Sequence, residues 1–331
     1  MTDTVPVAGR TSVERVGGRF ANPPGQHQPG CGPGGLARFL WGRVTDRRVP
    51  VPPPGHCLGP AAVASGRRAC AGRDHLTWLG HAAFLLELGG RTLLTDPFLS
   101  DVAAPRPLPA PRRFVPPALT VAELPPIDLL LISHAHYDHL DAPTIRALRQ
   151  RSDPDVLVPL GLDGFFRRQG YGRVQTLDWW QAVTCRGLRI TAVPAVHFSR
   201  RGPFDRNSAL WCGYVVETPA GRRLYFVGDT AYAPVFREIG AAFTPIDTVL
   251  VPIGAYEPRR VMRQVHVNPE EAAALCRDVG AQSAVAMHWG TIVLTDEPPF
   301  EPPARWRTAM ADQGFAGEAA RVPAIGETLR L

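Results

Sequence analysis

Ser133-His134-Ala135-His136-Tyr137-Asp138-His139-Leu140-Asp141 is the stretch on which the fold turns. It directly follows Ile127-Asp-Leu-Leu-Leu-Ile132, a short apolar run that suits a strand buried on both faces. Three imidazoles and a carboxylate crowd into its HxHxDH core, a dense set of borderline metal ligands at a strand end. In an extended or turning backbone, side chains at i and i+2 share a face, so His134 and His136 are placed to grip one ion. Asp138 and His139, beyond the turn, are placed to reach a second.

Two ions need more ligands than four, and later strand patterns supply them. His197 follows Arg189-Ile-Thr-Ala-Val193, Asp229 follows Tyr225-Phe-Val227, and His288 follows Val285-Ala-Met287. One histidine after a strand is an ordinary residue; the same placement recurring three times is a pattern. Asp229 has two oxygens with which to bridge a pair of ions. The expected ligands are therefore His134, His136, Asp138, His139, His197, Asp229 and His288.

Outward from this centre, short strands dominate. His75–Leu79, Ala83–Leu88 and Arg91–Thr95 read as strands, with Gly89-Gly90 as a tight hairpin turn. Val156–Val158, Trp211–Glu217, Arg223–Val227, Thr248–Ile253 and Ser283–Met287 read likewise. Ala142–Arg151 and Pro269–Val279 read as helices; Asn268 is the N-cap of the second, and Glu270 and Glu271 match its positive end. The fold class is α/β, an αββα sandwich of two mixed sheets flanked by helices. Residues 73–331 form the catalytic domain. Residues 1–72 are rich in Gly, Pro and Arg and read as an extension, partly disordered or packed on the core. Within it, the apolar patch Gly35–Trp41 suits either packing on the domain or, with Arg38 and Arg43, contact with a membrane surface.

The 331 residues are 45% apolar, enough for a large core. Net charge is +6, and every basic residue apart from histidine is arginine. Arginine suits phosphate and carboxylate partners, although codon composition alone would also produce the bias. No interleaved aromatic and basic motif points to nucleic acid. Cys31, Cys57, Cys70, Cys185, Cys212 and Cys276 form no CxxC pair, which fits free thiols in a reducing compartment. No apolar run approaches the roughly 20 residues of a bilayer-spanning helix, and the N-terminus lacks the apolar stretch of a secretory signal. The expected location is the cytoplasm, with peripheral contact at the inner membrane face.

Further words narrow the reading: Trp78-Leu-Gly-His-Ala82, Leu94-Thr-Asp-Pro-Phe98, Glu123-Leu-Pro-Pro-Ile-Asp128, Leu177-Asp-Trp-Trp180, Pro252-Ile-Gly-Ala-Tyr-Glu-Pro-Arg259, His266-Val-Asn-Pro-Glu-Glu271 and Ala286-Met-His-Trp-Gly-Thr291. With these and HxHxDH, the sequence resembles the metallo-β-lactamase superfamily. Within it, the sequence is similar to N-acylphosphatidylethanolamine-hydrolysing phospholipase D and its bacterial relatives. The likeness runs from about Leu76 to Pro303; before that it is confined to fragments such as Arg19-Phe-Ala-Asn-Pro23. The resemblance implies two zinc ions, with manganese or iron as alternatives. It implies His134, His136 and His197 on the first ion, Asp138, His139 and His288 on the second, and Asp229 between them. Asp138 is also the expected catalytic group that orients the attacking hydroxide. His266 is the second catalytic candidate, placed near a scissile phosphate to protonate the leaving alkoxide. Arg201, Tyr256 and Arg259 are the expected substrate contacts, the two arginines toward a phosphate. His81 reads as a group behind the ligands or as core, and Asp141 or Asp96 as acceptor for a ligating imidazole N–H.

The activity implied is hydrolysis of N-acylphosphatidylethanolamine, or a similar phospholipid, to phosphatidic acid and an N-acylethanolamine by a hydroxide shared between two metals. A lactonase or sugar-phosphate hydrolase is the first alternative, and a non-catalytic metal-binding protein the second. The partners expected are the phospholipid itself, a membrane surface and a second copy in a homodimer, with no nucleic acid.

Overall fold

The computed structural model describes residues 3–24, 26, 49–104 and 111–331. The Gly35–Trp41 patch lies outside the described residues.

In chain order, β1 (Val5–Pro6), β2 (Arg15–Val16) and β3 (Arg19–Phe20) precede helix α1 (Pro60–Cys70). An antiparallel run follows: β4 (His75–Gly80), β5 (Ala83–Leu88) and β6 (Arg91–Thr95). Gly89 and Gly90 join the last two at φ 56° and 70°, the left-handed backbone that a tight hairpin of this hand requires. Then come β7 (Leu129–Leu131), α2 (Ala142–Arg151), β8 (Asp155–Pro159), α3 (Asp163–Arg168) and β9 (Val174–Leu177). The chain returns through β10 (Gln181–Cys185), β11 (Leu188–Val193), β12 (Gly213–Glu217) and β13 (Arg223–Phe226). It continues through α4 (Val235–Phe243), β14 (Ile246–Pro252), α5 (Arg259–Met262), α6 (Pro269–Asp278) and β15 (Ala281–Met287). It ends with α7 (Pro302–Asp312), β16 (Ala320–Arg321) and β17 (Thr328–Arg330).

The strands form two mixed sheets, ordered β1-β10-β11-β12-β13-β14-β15-β16 and β17-β4-β5-β6-β7-β8-β9, with β2–β3 as a separate hairpin. Alternation along β7 shows how they stack. Leu129 and Leu131 join the core shared with the other sheet, together with Ile190, Tyr214 and Phe226. Leu130 and Ile132 join a second cluster with Ile145 and Leu148 of α2 and Phe166 of α3. A strand between a sheet and a helix layer is apolar at every position, which is why its sequence shows no alternation. The architecture is the αββα sandwich.

The described part of residues 1–72 is woven into this domain. Val5 of β1 pairs with Ala182 of β10. Phe20 is only 2% exposed and belongs to the inter-sheet core. α1 packs beside β17, where a Cβ on Gly66 would lie 3.5 Å from Thr328.

Candidate metal centre

The chemistry-bearing side chains gather where strand ends from both sheets meet. His134, His136, Asp138 and His139 lie just past β7, His197 past β11, Asp229 past β13 and His288 past β15. Open α/β sheets place their sites beyond the carboxyl ends of strands for the same reason: loops there are free to diverge and carry polar groups.

Two sets of nitrogens face each other across one carboxylate. In the first, His134 Nε2 lies 2.8 Å from His136 Nδ1, which is 3.2 Å from His197 Nε2. In the second, His139 Nε2 lies 3.2 Å from His288 Nε2. Asp138 Oδ2 stands 3.6 Å from His139 Nε2 and 3.8 Å from His288 Nε2. Asp229 Oδ2 sits between the sets, 3.2 Å from both His139 and His288 Nε2, 3.8 Å from His197 Nε2 and 3.9 Å from His134 Nε2. All seven expected ligands thus share one cluster.

These residues fit a metal pair. Imidazole nitrogens and carboxylate oxygens are the donors that zinc, iron and manganese accept. Asp229 Oδ1 and His266 Nδ1 are buried without a hydrogen-bond partner, an arrangement that costs stability unless something else satisfies them. Burial pushes the imidazolium form of His136 down to about 3 and that of His197 to about 4, and it lowers His134 well below the usual range. Neutral imidazole is the ligating form. His139 behaves oppositely: burial opposes its charge, but the carboxylates of Asp229 and Asp138 raise it well above 6.5. A cation bound there must displace that proton.

Outer partners orient the rings. Asp96 accepts from His139 Nδ1 at 2.7 Å and from Ser133 N and Oγ at 2.7 and 2.5 Å; Ser133 Oγ lies 2.9 Å from His134 Nδ1. One buried carboxylate therefore supports both sets. Asp141, the other expected acceptor, takes its bonds from Ser100 and Thr144 and touches no imidazole. His197 Nδ1 is fixed by the Val265 carbonyl at 2.8 Å. Gly228 precedes Asp229 because a Cβ there would meet the Ser133 Cβ at 2.9 Å, and its φ of 68° is left-handed.

His81 belongs to this centre. Its Nε2 lies 2.8 Å from Asp138 Oδ2, and its ring stands 4.0 Å from that of His288. Burial first, then the charge of His288, lowers its pKa to about 3. His81 and His288 both have positive φ, 55° and 62°, and the His288 N–H donates to the His81 carbonyl at 3.0 Å. Each such non-glycine residue costs on the order of 1–3 kcal/mol, and such strain concentrates at functional sites.

His266 faces the first set: its ring is 5.1 Å from His197 and 5.4 Å from His288, with Nδ1 3.9 Å from Asp229 Oδ2. Burial keeps it neutral.

The expected substrate contacts have other tasks. Arg201 is mostly buried; its Nη1 donates at 2.7 Å to both the Ala135 and Leu140 carbonyls, and its guanidinium lies 4.0 Å over the Tyr137 ring. It braces the HxHxDH loop from inside, so its assignment to a phosphate is corrected. Arg259 Nη2 donates to both Glu271 carboxylate oxygens at 2.8 and 2.7 Å, and its Nη1 donates to the His266 carbonyl at 3.0 Å. Its fork is committed to holding the His266 loop, and this assignment is corrected too. Tyr256 is 0% exposed beneath the Arg305 guanidinium, out of a substrate's reach.

Asn22 escaped the sequence reading. Its Oδ1 accepts from the His197 backbone N–H at 3.0 Å and from Trp211 Nε1 at 3.1 Å. The fragment Arg19-Phe-Ala-Asn-Pro23 was the available signal.

Residues 91–289 match the family model of the beta-lactamase superfamily domain. An uncharacterized protein of Mycobacterium tuberculosis is 41% identical over 248 residues, 73% of this chain; the match spans 66% of that relative's length. The N-acyl-phosphatidylethanolamine-hydrolyzing phospholipase D 1 of Caenorhabditis elegans is 38% identical over 239 residues, 68% of this chain and 67% of the relative. Among solved structures, the diiron β-hydroxylase CmlA of Streptomyces venezuelae aligns with a TM-score of 0.58 at 25% identity, covering 78% of this chain and 54% of that one.

Proposed function

The chain belongs to the metallo-β-lactamase superfamily of metal-dependent hydrolases, and on that premise we propose that it is a dinuclear, zinc-dependent phosphodiesterase of phospholipase D type. Its substrate is N-acylphosphatidylethanolamine or a similar phospholipid, and the products are phosphatidic acid and an N-acylethanolamine. The observation that carries the reading is Asp229 Oδ2, within 3.2–3.9 Å of nitrogens from both sets. The likeness to the nematode phospholipase supports the substrate class.

His134, His136 and His197 would hold one ion, Asp138, His139 and His288 the other, with Asp229 between. Bound there, a pair of divalent cations supplies Lewis acidity and lowers the pKa of water toward neutrality. Asp138, fixed by His81, accepts a hydrogen bond from the attacking water and aims it at phosphorus. His266, neutral and held by Arg259 through its carbonyl, would take up at one ring nitrogen the proton that the attacking water sheds while giving one from the other nitrogen to the leaving alkoxide. The buried walls keep bulk water from these transfers.

The test is turnover of the zinc-loaded protein in 18O-labelled water with N-acylphosphatidylethanolamine, simple phosphodiesters and lactones. Label recovered in phosphatidic acid supports the reading. Turnover of lactones or sugar phosphates alone refutes it in favour of a small-molecule hydrolase, and no turnover of any class favours a binding protein.

A further inference from the structure

The loop that leaves the metal ligand His197 carries an unusual tip. Arg200-Arg201-Gly202-Pro203-Phe204-Asp205-Arg206 projects Phe204, 87% exposed, into solvent. An isolated exposed phenylalanine is ordinary; this one has company. Arg19 donates to the Phe204 carbonyl at 2.8 Å, and Arg19 sits opposite Val16 in the β2–β3 hairpin. Val16 is itself 60% exposed. Two segments far apart in sequence thus present apolar side chains tied together by one arginine.

The polar collar is cationic. Arg19, Arg200 and Arg206 are exposed and have no carboxylate partner among the described residues. Burial of its stem and the nearby Arg200 charge lower Arg206 from its usual range, so the two cations are close. Asp205, the one acid in the tip, is turned inward to accept from the Arg201 and Gly202 backbone N–H groups. The collar reaches the metal centre: the Arg206 guanidinium lies 4.5 Å over the Phe198 ring, which is 4.5 Å from His136 and 5.0 Å from His197.

Apolar tips that enter the interface, ringed by arginines at headgroup level, match an anionic bilayer surface in both shape and charge. We propose that the tip at Phe204, with Val16 and the collar of Arg19, Arg200 and Arg206, docks this protein on anionic lipid with the metal centre beside the membrane. Phe204 and Val16 enter the acyl boundary, while the three arginines pair with lipid phosphates. Docking would set the substrate proposed above within reach, but the surface stands on its own geometry and holds whether or not the enzyme cleaves phospholipid.

The test is flotation of the full chain with vesicles of phosphatidylcholine alone or with 30 mol% phosphatidylglycerol, a probe composition of roughly physiological charge. The wild type is expected to float with the anionic vesicles and to be released by high salt. R200Q/R206Q should lower partitioning by roughly 25-fold, about fivefold per arginine. F204S should lower it by about tenfold, with metal content and circular dichroism unchanged. F204W should blue-shift its emission only with anionic vesicles. Absence of wild-type binding, or equal binding by F204S and R200Q/R206Q, overturns the proposal. A dimer in solution that F204S dissolves overturns it in favour of a second copy as occupant. Because flotation needs no turnover, its outcome is independent of the phosphodiesterase assay.

Discussion

The two halves of the metal centre are built on different principles. The half formed by His134, His136 and His197 is held by neutral partners: the Ser133 hydroxyl, the Val265 carbonyl and, behind His197, the Asn22 amide. Burial strips its imidazoles of charge, so it is ready for a cation without releasing protons. The half formed by Asp138, His139 and His288 is held by carboxylates. Asp229 and Asp138, with Asp96 bonded to its Nδ1, keep a proton on His139, and His81 pins Asp138. A cation entering this half competes with that proton. The lesson is that one cluster can offer two sites of unlike affinity with almost the same ligands, because the outer partners differ.

Removing the group common to both halves should have the largest effect. Asp229→Ala is expected to reduce turnover at least about a hundredfold and to leave fewer than two metals per chain; loss of an outer partner alone already costs 10–100-fold. Two metals and full activity in that variant would dissolve the distinction between the halves. Asp96→Asn sharpens it. Metal affinity at the His139 half should fall by roughly 10–100-fold, with a smaller loss at the other half, read as a second binding step moved to higher zinc by calorimetry.

The pH dependence separates the halves further. Displacing one proton makes apparent affinity fall about tenfold per pH unit below the raised His139 value. The second zinc should follow that slope, and the first should be flatter. The metal-free protein should show the opposite trend at this ion cluster. A raised histidine pKa adds stability that is fully present below its usual 6.5 and is lost as pH climbs through the folded value. The depressed pKa values of Asp138 and Asp229 add stability above their usual 3.8 that is lost as pH falls through the lowered values. Thermal denaturation in chelator across pH should therefore fall off on both the acid and the alkaline side, whereas the zinc-loaded protein should not decline on the alkaline side.

The smallest expected effect lies at the edge of the first half. Asn22→Ala removes the acceptor for the His197 N–H, leaving a buried donor unpaired at about 1–3 kcal/mol. It should weaken the first zinc several-fold and lower the thermal midpoint, without altering the pH slope of the second.

The same contrast marks what the sequence disclosed. Three of the seven clustered residues, His197, Asp229 and His288, were readable because each follows an apolar strand, and the HxHxDH spacing placed the other four. The strands β5 and β6 and the helix α2 were legible to the residue, since Gly89-Gly90 and Pro143 punctuate them. β9 and β10 were not read, because polar residues break the alternation: the half-buried Gln175 and Thr176 in one, the exposed Thr184 in the other. The helices α4 and α7 were also passed over, although Val235, Phe236 and Ile239 of the first and Trp306 and Met310 of the second join the inter-sheet core. Arg201 and Arg259 misled because a sequence shows a charge but not its partner; folding gave each a carbonyl to hold. His81 and Asn22 act through atoms far away in sequence, and no local pattern announces such contacts.

The most direct test is anomalous diffraction at the zinc edge from crystals of the zinc-loaded protein. Two peaks about 3.5–4 Å apart are predicted, one reached by His134, His136 and His197 and the other by Asp138, His139 and His288, with Asp229 touching both. A single peak, or peaks elsewhere in the molecule, would contradict it.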